Sequence, residues 1–194
     1  MSCTPQECCN ILNGDCSLLI RKLKCKCELP IDVYIYCTKD KLGLYDNHEH
    51  ITSASDKYFL DSFGYDKPPL LNGKVVAKFT LNKVEEIECW GEVSAHFSTK
   101  SLKESELEKQ SCLCYSQLFD YLEPNASWEG YGDIQGYAWH IDNLVIFDKP
   151  KELSEFKHYS NILTICNIKT DRGFRPTLRP LTKAPKTFTY VEVE

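Results

Sequence analysis

The sequence lacks any long apolar run. No stretch approaches the roughly 18 consecutive apolar residues that span a bilayer, and the best run, Asn143 to Phe147, is strand-sized. No membrane partner is therefore expected. The first ten residues, Met1 to Asn10, offer neither a basic n-region nor an apolar h-region, so no secretory signal is expected either. No internal repeat and no low-complexity tract is present, which removes solenoids and compositionally biased linkers. Positive charge is short as well. Against 28 Asp+Glu stand 23 Lys+Arg, a formal charge of −5, which counts against a protein held on nucleic acid mainly by bulk charge. What the chain has in surplus is cysteine, 11 residues of 194. An odd number at irregular spacings is no disulfide framework, so the expectation is a reduced thiol set in a cytoplasmic protein. Asn125-Ala126-Ser127 matches a glycosylation acceptor but carries no weight in that compartment.

At about 100–200 residues per domain the whole chain, 1–194, reads as one domain. Pro5 to Asn13 predicts a short helix, with Pro near its first turn and Gly14 placed to stop it. Ser17 to Arg21, Ile31 to Thr38 and Lys74 to Val84 predict strands, the last following an Asn72-Gly73 turn. Residues 39–70 mix charge, Gly, Ser and Pro-Pro and read as a long loop or insertion. Ser101-Leu-Lys-Glu104 has the form of a capping box at the head of a charged helix running to about Gln110, and Ser116 to Leu122 predicts a second helix. Gly136 to Phe147 reads as one strand, Asp148-Lys-Pro150 as a turn into a short helix carrying Leu153 and Phe156, and Thr187 to Glu194 as a closing strand. Many short strands with brief helices between them make an α+β chain, best described as a small mixed barrel.

Two stretches carry more than propensity. Asn10-Ile-Leu-Asn-Gly14-Asp-Cys-Ser-Leu-Leu-Ile-Arg21-Lys22 resembles the Gly-Lys-Lys-Thr-x-Glu-x-Arg signature of ASCH domains, of the PUA-like superfamily. Gly136-Tyr-Ala-Trp-His140 through Pro150 to Phe156 is similar to the late strand-and-turn block of ASCH-like proteins common in phages. Tyr34-Ile-Tyr-Cys-Thr38 and Leu181 to Val191 are weaker echoes in the expected order. The resemblance implies a PUA-like mixed β-barrel with short flanking helices, with the 39–70 segment and a basic C-terminal extension at 157–186 as elaborations. It implies RNA, or a modified nucleoside, bound in a cleft beside the first helix. Some relatives hydrolyse an N4-acylated cytidine through a Lys, a Thr and a Glu. Here those positions are Cys16, Leu19 and the neighbourhood of Ser111, with Glu108 a helical turn away, while Ser17 and Arg21 keep the signature's hydroxyl and guanidinium. Leu cannot replace a reacting hydroxyl, and a Cys thiol needs activation by a base or cation. No catalytic residue is therefore assigned.

The ligand-binding candidates are Ser17, Arg21, Lys22, Tyr137, Trp139 and His140. Arg21 and Lys22, with Lys24 and Lys26, form either a phosphate-contacting edge or a solvated strand end. Trp139 has two readings, a core residue and a stacking wall for a base, and His140 is a ligand contact or a satisfied structural histidine. Strand alternation puts Tyr137 and Trp139 on one face and His140 on the other. Cys25-x-Cys27, Cys112-x-Cys114 and His48-x-His50 lack the usual structural-zinc spacing, so neither metal nor cofactor is expected. Cys16 with His140 as its base is a further pairing possible on paper. Between Lys157 and Lys186 seven Lys/Arg face one acid, 7 − 1 = +6, whereas Glu85 to Glu108 holds seven Glu against two Lys, 2 − 7 = −5. The leading expectation is RNA or modified-nucleobase binding without catalysis. The alternatives are a phage-encoded inhibitor whose acidic segment occupies a host nucleic-acid-binding or defence protein, and a modified-nucleoside amidohydrolase.

Overall fold

A computed structural model describes residues 1–46, 51–55, 68–90, 96–122, 134–159 and 178–191. The elements in chain order are β1 (Ser2–Cys3), α1 (Pro5–Leu12), β2 (Leu18–Arg21), β3 (Ile31–Cys37), β4 (Leu42–Asp46), β5 (Ile51–Ser55), β6 (Val75–Leu81), β7 (Val84–Trp90), β8 (His96–Ser98), α2 (Glu104–Ser111), α3 (Tyr115–Leu122), β9 (Gly136–His140), β10 (Asp142–Lys151), a 3-10 turn (Leu153–Glu155), β11 (Lys157–Tyr159) and β12 (Leu178–Pro180). The protein is thus α+β, mostly strands with three short α-helices among the described residues. No described helix is long and apolar enough to cross a membrane. The chain divides into two compact units, one of Met1–Asn13, Asp32–Phe79 and Leu144–Glu194, the other of Gly14–Ile31 and Thr80–Asn143.

The first unit is built around most of a four-stranded sheet in the order β1-β3-β6-β10. β1 pairs in parallel with β3, setting Cys3 opposite Cys37. α1 begins as its sequence dictates. Thr4 accepts at its hydroxyl from the Glu7 amide (3.2 Å), and Glu7 accepts from the Thr4 amide (2.8 Å), so two otherwise orphaned donors are satisfied. Asn13 caps the other end and Gly14 follows at φ 80°, a left-handed conformation suited to glycine. A core of Tyr36, Val75, Phe156 and Leu181 gathers Tyr34, Phe147 and Leu153 around it.

Three expectations in this unit are corrected. Part of the 39–70 segment is not loop but an antiparallel hairpin of β4 and β5, Leu42 opposite Ser55 through Asp46 opposite Ile51. Two asparagine side chains stitch it in place. Asn72 accepts from the Leu44 amide and donates to the Leu42 carbonyl, and Asn13 does the same for Ile51. Leu44 and Ile51 are buried on one face of the hairpin and Tyr45 on the other, apolar anchors that composition alone obscured. Residues 47–50 and 56–67, and with them His48-x-His50, lie outside the described residues. Asp148-Lys-Pro150 is not a turn but the end of β10. Finally, Thr187 to Val191 is not a strand, although the Thr187 carbonyl accepts from the Ser2 amide at 2.8 Å. Much of the basic 157–186 extension, residues 160–177, is outside the description.

The second unit is an antiparallel sheet in the order β2-β9-β7-β8 with α2 and α3. Its core is Leu18, Ile20, Ile87, Phe97, Leu107, Leu118, Leu122 and Ala138. The acidic 85–108 segment, for which no strand was expected beyond Val84, contributes β7 and β8. Its alternation is real, with Ile87 buried between exposed Glu86 and Glu88. The Glu-rich composition masks it, because Glu is depleted in strands. The helix start moves by two residues, and no side chain caps it in return. Lys103 is the N-cap, its amide donating to Glu106 at 3.1 Å, because Ser101 is engaged elsewhere. Gly136 to Phe147 is not one strand. It breaks at Ile141 into β9 and β10, which belong to different sheets, with Asn143 at φ 49° just after the break.

Candidate functional site

All six candidate residues fall in the second unit, where β2 and β9 lie side by side in one ladder: Leu18 opposite His140, Leu19 opposite Trp139, Ile20 opposite Ala138, Arg21 opposite Tyr137. On the other side of β9, β7 sets Val84 opposite Trp139, Glu85 opposite Ala138 and Glu86 opposite Tyr137. Paired residues share a face. One face therefore carries the rows Arg21–Tyr137–Glu86 and Leu19–Trp139–Val84. The opposite face carries Leu18–His140 and Ile20–Ala138–Glu85. Arg21, Tyr137 and Trp139 are together; His140 is apart from them.

Burial separates the candidates further. Trp139 is 2% exposed and Arg21 5%. The Arg21 guanidinium donates through Nη1 to the carbonyl of Ile20 at 2.8 Å. Tyr137 is half-buried, and Ser17 is exposed at the mouth of β2. The Ser17 backbone is fixed, its amide donating to the Gln110 carbonyl and its carbonyl accepting from the Ile141 amide, both at 3.0 Å. Lys22 leans its ammonium over the ring of Tyr121 on α3, 5.4 Å from the centroid, an attraction of cation for ring quadrupole. Lys24 and Lys26 beyond it are exposed.

The most organised polar group in the unit was not singled out from the sequence. Glu85 is buried on the His140 face and accepts from four donors: Ser101 Oγ (2.6 Å), the Ser101 amide (3.1 Å), His140 Nε2 (2.8 Å) and Lys83 Nζ (2.9 Å). Burial pushes the Glu85 carboxyl up, but the hydrogen bonds from Ser101, Lys83 and His140 together outweigh it and hold the pKa at about 2. The carboxylate is thus a fixed negative charge that orients the imidazole. Since both Ser101 and His140 bind the carboxylate, Glu85 is the hub. This is not the serine–histidine contact that nucleophilic catalysis requires. The only sequence trace of the cluster is Lys83-x-Glu85, whose alternation puts both on one face of a strand edge.

The thiols are equally specific. Cys16 is buried and donates to the Leu18 carbonyl (3.0 Å) and towards the Ser111 carbonyl (3.6 Å). Cys112 reciprocates towards the Asp15 carbonyl at 3.2 Å. Burial, then the Asp15 charge, pushes the Cys112 thiol up, against a lowering contact from Cys16. Cys114 is exposed, and the Ser116 hydroxyl followed by the Gln117 amide draws its pKa down. His140, offered as a base for Cys16, is held by Glu85 instead. Among the described residues no group of three or more His, Cys, Asp or Glu is placed to hold a metal ion. None of the ten cysteines described is in a disulfide, and Cys166 lies outside the description. Comparison of the chain with protein-family models, with curated proteins and with solved structures gives no match in any of the three.

Proposed function

We propose that this is a binding protein whose second unit engages a cationic protein surface, of the kind a nucleic-acid-binding protein presents and a phage-encoded inhibitor occupies. One observation carries the reading: charge is segregated between the units. By sequence the second unit holds 8 Lys/Arg and 14 Asp/Glu, 8 − 14 = −6, while the first holds 15 and 14, 15 − 14 = +1. Glu86 and Glu88 on β7, Glu106 on α2 and Asp120 on α3 are exposed. Such a surface steers a basic partner and disfavours a polyanion. A PUA-like barrel in a reducing, cytoplasmic setting is part of this proposal. It is supported by the order of α1, Gly14 and the Arg21-bearing strand, which follows the ASCH signature.

RNA or modified-nucleoside binding is the second reading, favoured by Lys22 on the Tyr121 ring beside exposed Lys24 and Lys26. It is opposed by the burial of Arg21 and Trp139, which leaves neither available for a phosphate or a base. Fluorescence anisotropy separates the two, using a basic nucleic-acid-binding domain and a single-stranded RNA as labelled probes. The expected result is capture of the basic domain, weakened about tenfold by Glu86→Lys with Glu88→Lys and falling as salt rises. RNA capture that Lys22→Ala abolishes, with no binding of the basic domain, would establish the second reading instead.

A further inference from the structure

Two segments of the second unit cross at a pair of cysteines. Just ahead of β2, Cys16 donates to the Leu18 carbonyl at 3.0 Å and towards the Ser111 carbonyl at 3.6 Å. At the end of α2, Cys112 donates to the Asp15 carbonyl at 3.2 Å. Each thiol thus reaches the residue that precedes the other cysteine. The Ser17 amide ties the same two segments together again, donating to the Gln110 carbonyl at 3.0 Å. The Cys16 and Cys112 side chains are themselves in contact. Cys112 holds its place at φ 55°, the left-handed position that glycine usually takes after a helix. Two residues on, Cys114 stands exposed immediately before α3. Its Sγ lies 3.2 Å from the Ser116 hydroxyl, and its carbonyl accepts from the Leu118 amide.

The three thiols are graded in reactivity. The Ser116 hydroxyl, then the Gln117 amide, draws the Cys114 pKa down, whereas burial pushes Cys112 up. Cys114 therefore carries more thiolate than Cys112 and is the sulfur that solvent reaches. We propose that Cys114, Cys112 and Cys16 form a relay oxidised by hydrogen peroxide, whose product is a disulfide between Cys16 and Cys112. The Cys114 thiolate attacks one peroxide oxygen. An S–O bond forms as the O–O bond breaks, leaving a sulfenic acid and a hydroxide that takes up a proton. Cys112 gives its proton to solvent and attacks the sulfenic sulfur. The S–O bond breaks, a second hydroxide leaves and is protonated, and Cys112 is joined to Cys114. Cys16 then loses its proton and attacks the Cys112 sulfur it touches, releasing Cys114 as thiolate. The direction follows from the leaving group, since the thiol of lower pKa departs more readily. In sum, two thiols give up two electrons and two protons, and the peroxide becomes two waters. The bridge fastens the end of α2 to the entry of β2.

Hydrogen peroxide added to the reduced full chain tests this, with remaining thiols then blocked by N-ethylmaleimide and the unreduced digest sequenced by fragment-ion mass spectrometry. The expected product is a peptide pair joined through Cys16 and Cys112, with Cys114 blocked as a free thiol. Cys114→Ser, at an exposed position, leaves the far-UV spectrum unchanged and slows the bridge at least about tenfold. Cys16→Ser halts the relay at a bridge between Cys112 and Cys114. In urea, where the crossing is lost, the wild-type chain joins the sequence neighbours Cys112 and Cys114 in preference to Cys16 and Cys112. The inference is overturned if the folded chain yields no Cys16–Cys112 pair while Cys114 ends as a sulfinic acid or bridges two chains. A bridge formed equally fast in Cys114→Ser overturns it too, as does one equally abundant in urea.

Discussion

Glu85 accepts from Ser101, Lys83 and His140 at once, and that concentration of donors makes its titration a measure of the fold. The carboxyl has a pKa of about 2 in the folded chain against an ordinary 4.5. The stabilisation is therefore fully present above about pH 4.5 and is lost as pH falls towards 2, amounting to about 3 kcal/mol. Glu85→Gln removes it, and urea unfolding at several pH values is expected to show a flatter acid limb for the variant. An identical acid limb in both proteins would contradict the cluster. The thiols make a second residue-scale prediction. Cys114 is exposed and drawn down by Ser116, whereas the hydrogen bonds that the Cys8 thiol donates towards Cys3 and Cys37, then burial, push it far up. Iodoacetamide near neutral pH is expected to modify Cys114 at least about tenfold faster than Cys8, with Ser116→Ala slowing it. Peptide mass spectrometry reads the order, and modification of Cys8 first would refute it. Sequence named Cys16, Arg21 and Trp139 but could not rank them, because exposure belongs to neighbours far along the chain.

At the scale of the element, local signals were faithful wherever the determining contacts are local. α1 carries its start and stop within eleven residues, Thr4, Pro5, Glu7 and Gly14. Thr4→Ala deletes the hydroxyl acceptor and is expected to cost about 1 kcal/mol, read as a lower midpoint in thermal unfolding. No change would mean the box is decorative. β3 and β6 were legible from their Val, Ile and Tyr content. The failures share one cause. Ser101-Leu-Lys-Glu104 has the sequence of a capping box, but its serine is bound by Glu85, 16 residues away, and the helix starts at Lys103 instead. β4 and β5 were hidden because asparagines from outside the hairpin, Asn13 and Asn72, complete its hydrogen bonding. Gly136 to Phe147 reads as one apolar strand, and only the demands of two different sheets divide it at Ile141.

For the whole molecule, a net charge of −5 conceals its own distribution. The sequence carries an acidic stretch at 85–108 and a basic one at 157–186. The division into units assigns the acidic stretch to the unit with charge −6, and the basic tail to a unit where other acids reduce its excess to +1. A sizeable charge of one sign therefore survives only in the second unit, which is what the proposed cationic partner rests on. Composition and short-range pattern by themselves determined the α+β class, the free-thiol surplus, the absence of a membrane-length apolar run, and the positions of α1, β2, β3, β6 and α3, because these depend on side chains a few residues apart. Tertiary structure alone decided that Arg21 and Trp139 are buried, and that His140 belongs to Glu85, 55 residues away. Those outcomes depend on register and packing between distant segments, which no window of local sequence encodes.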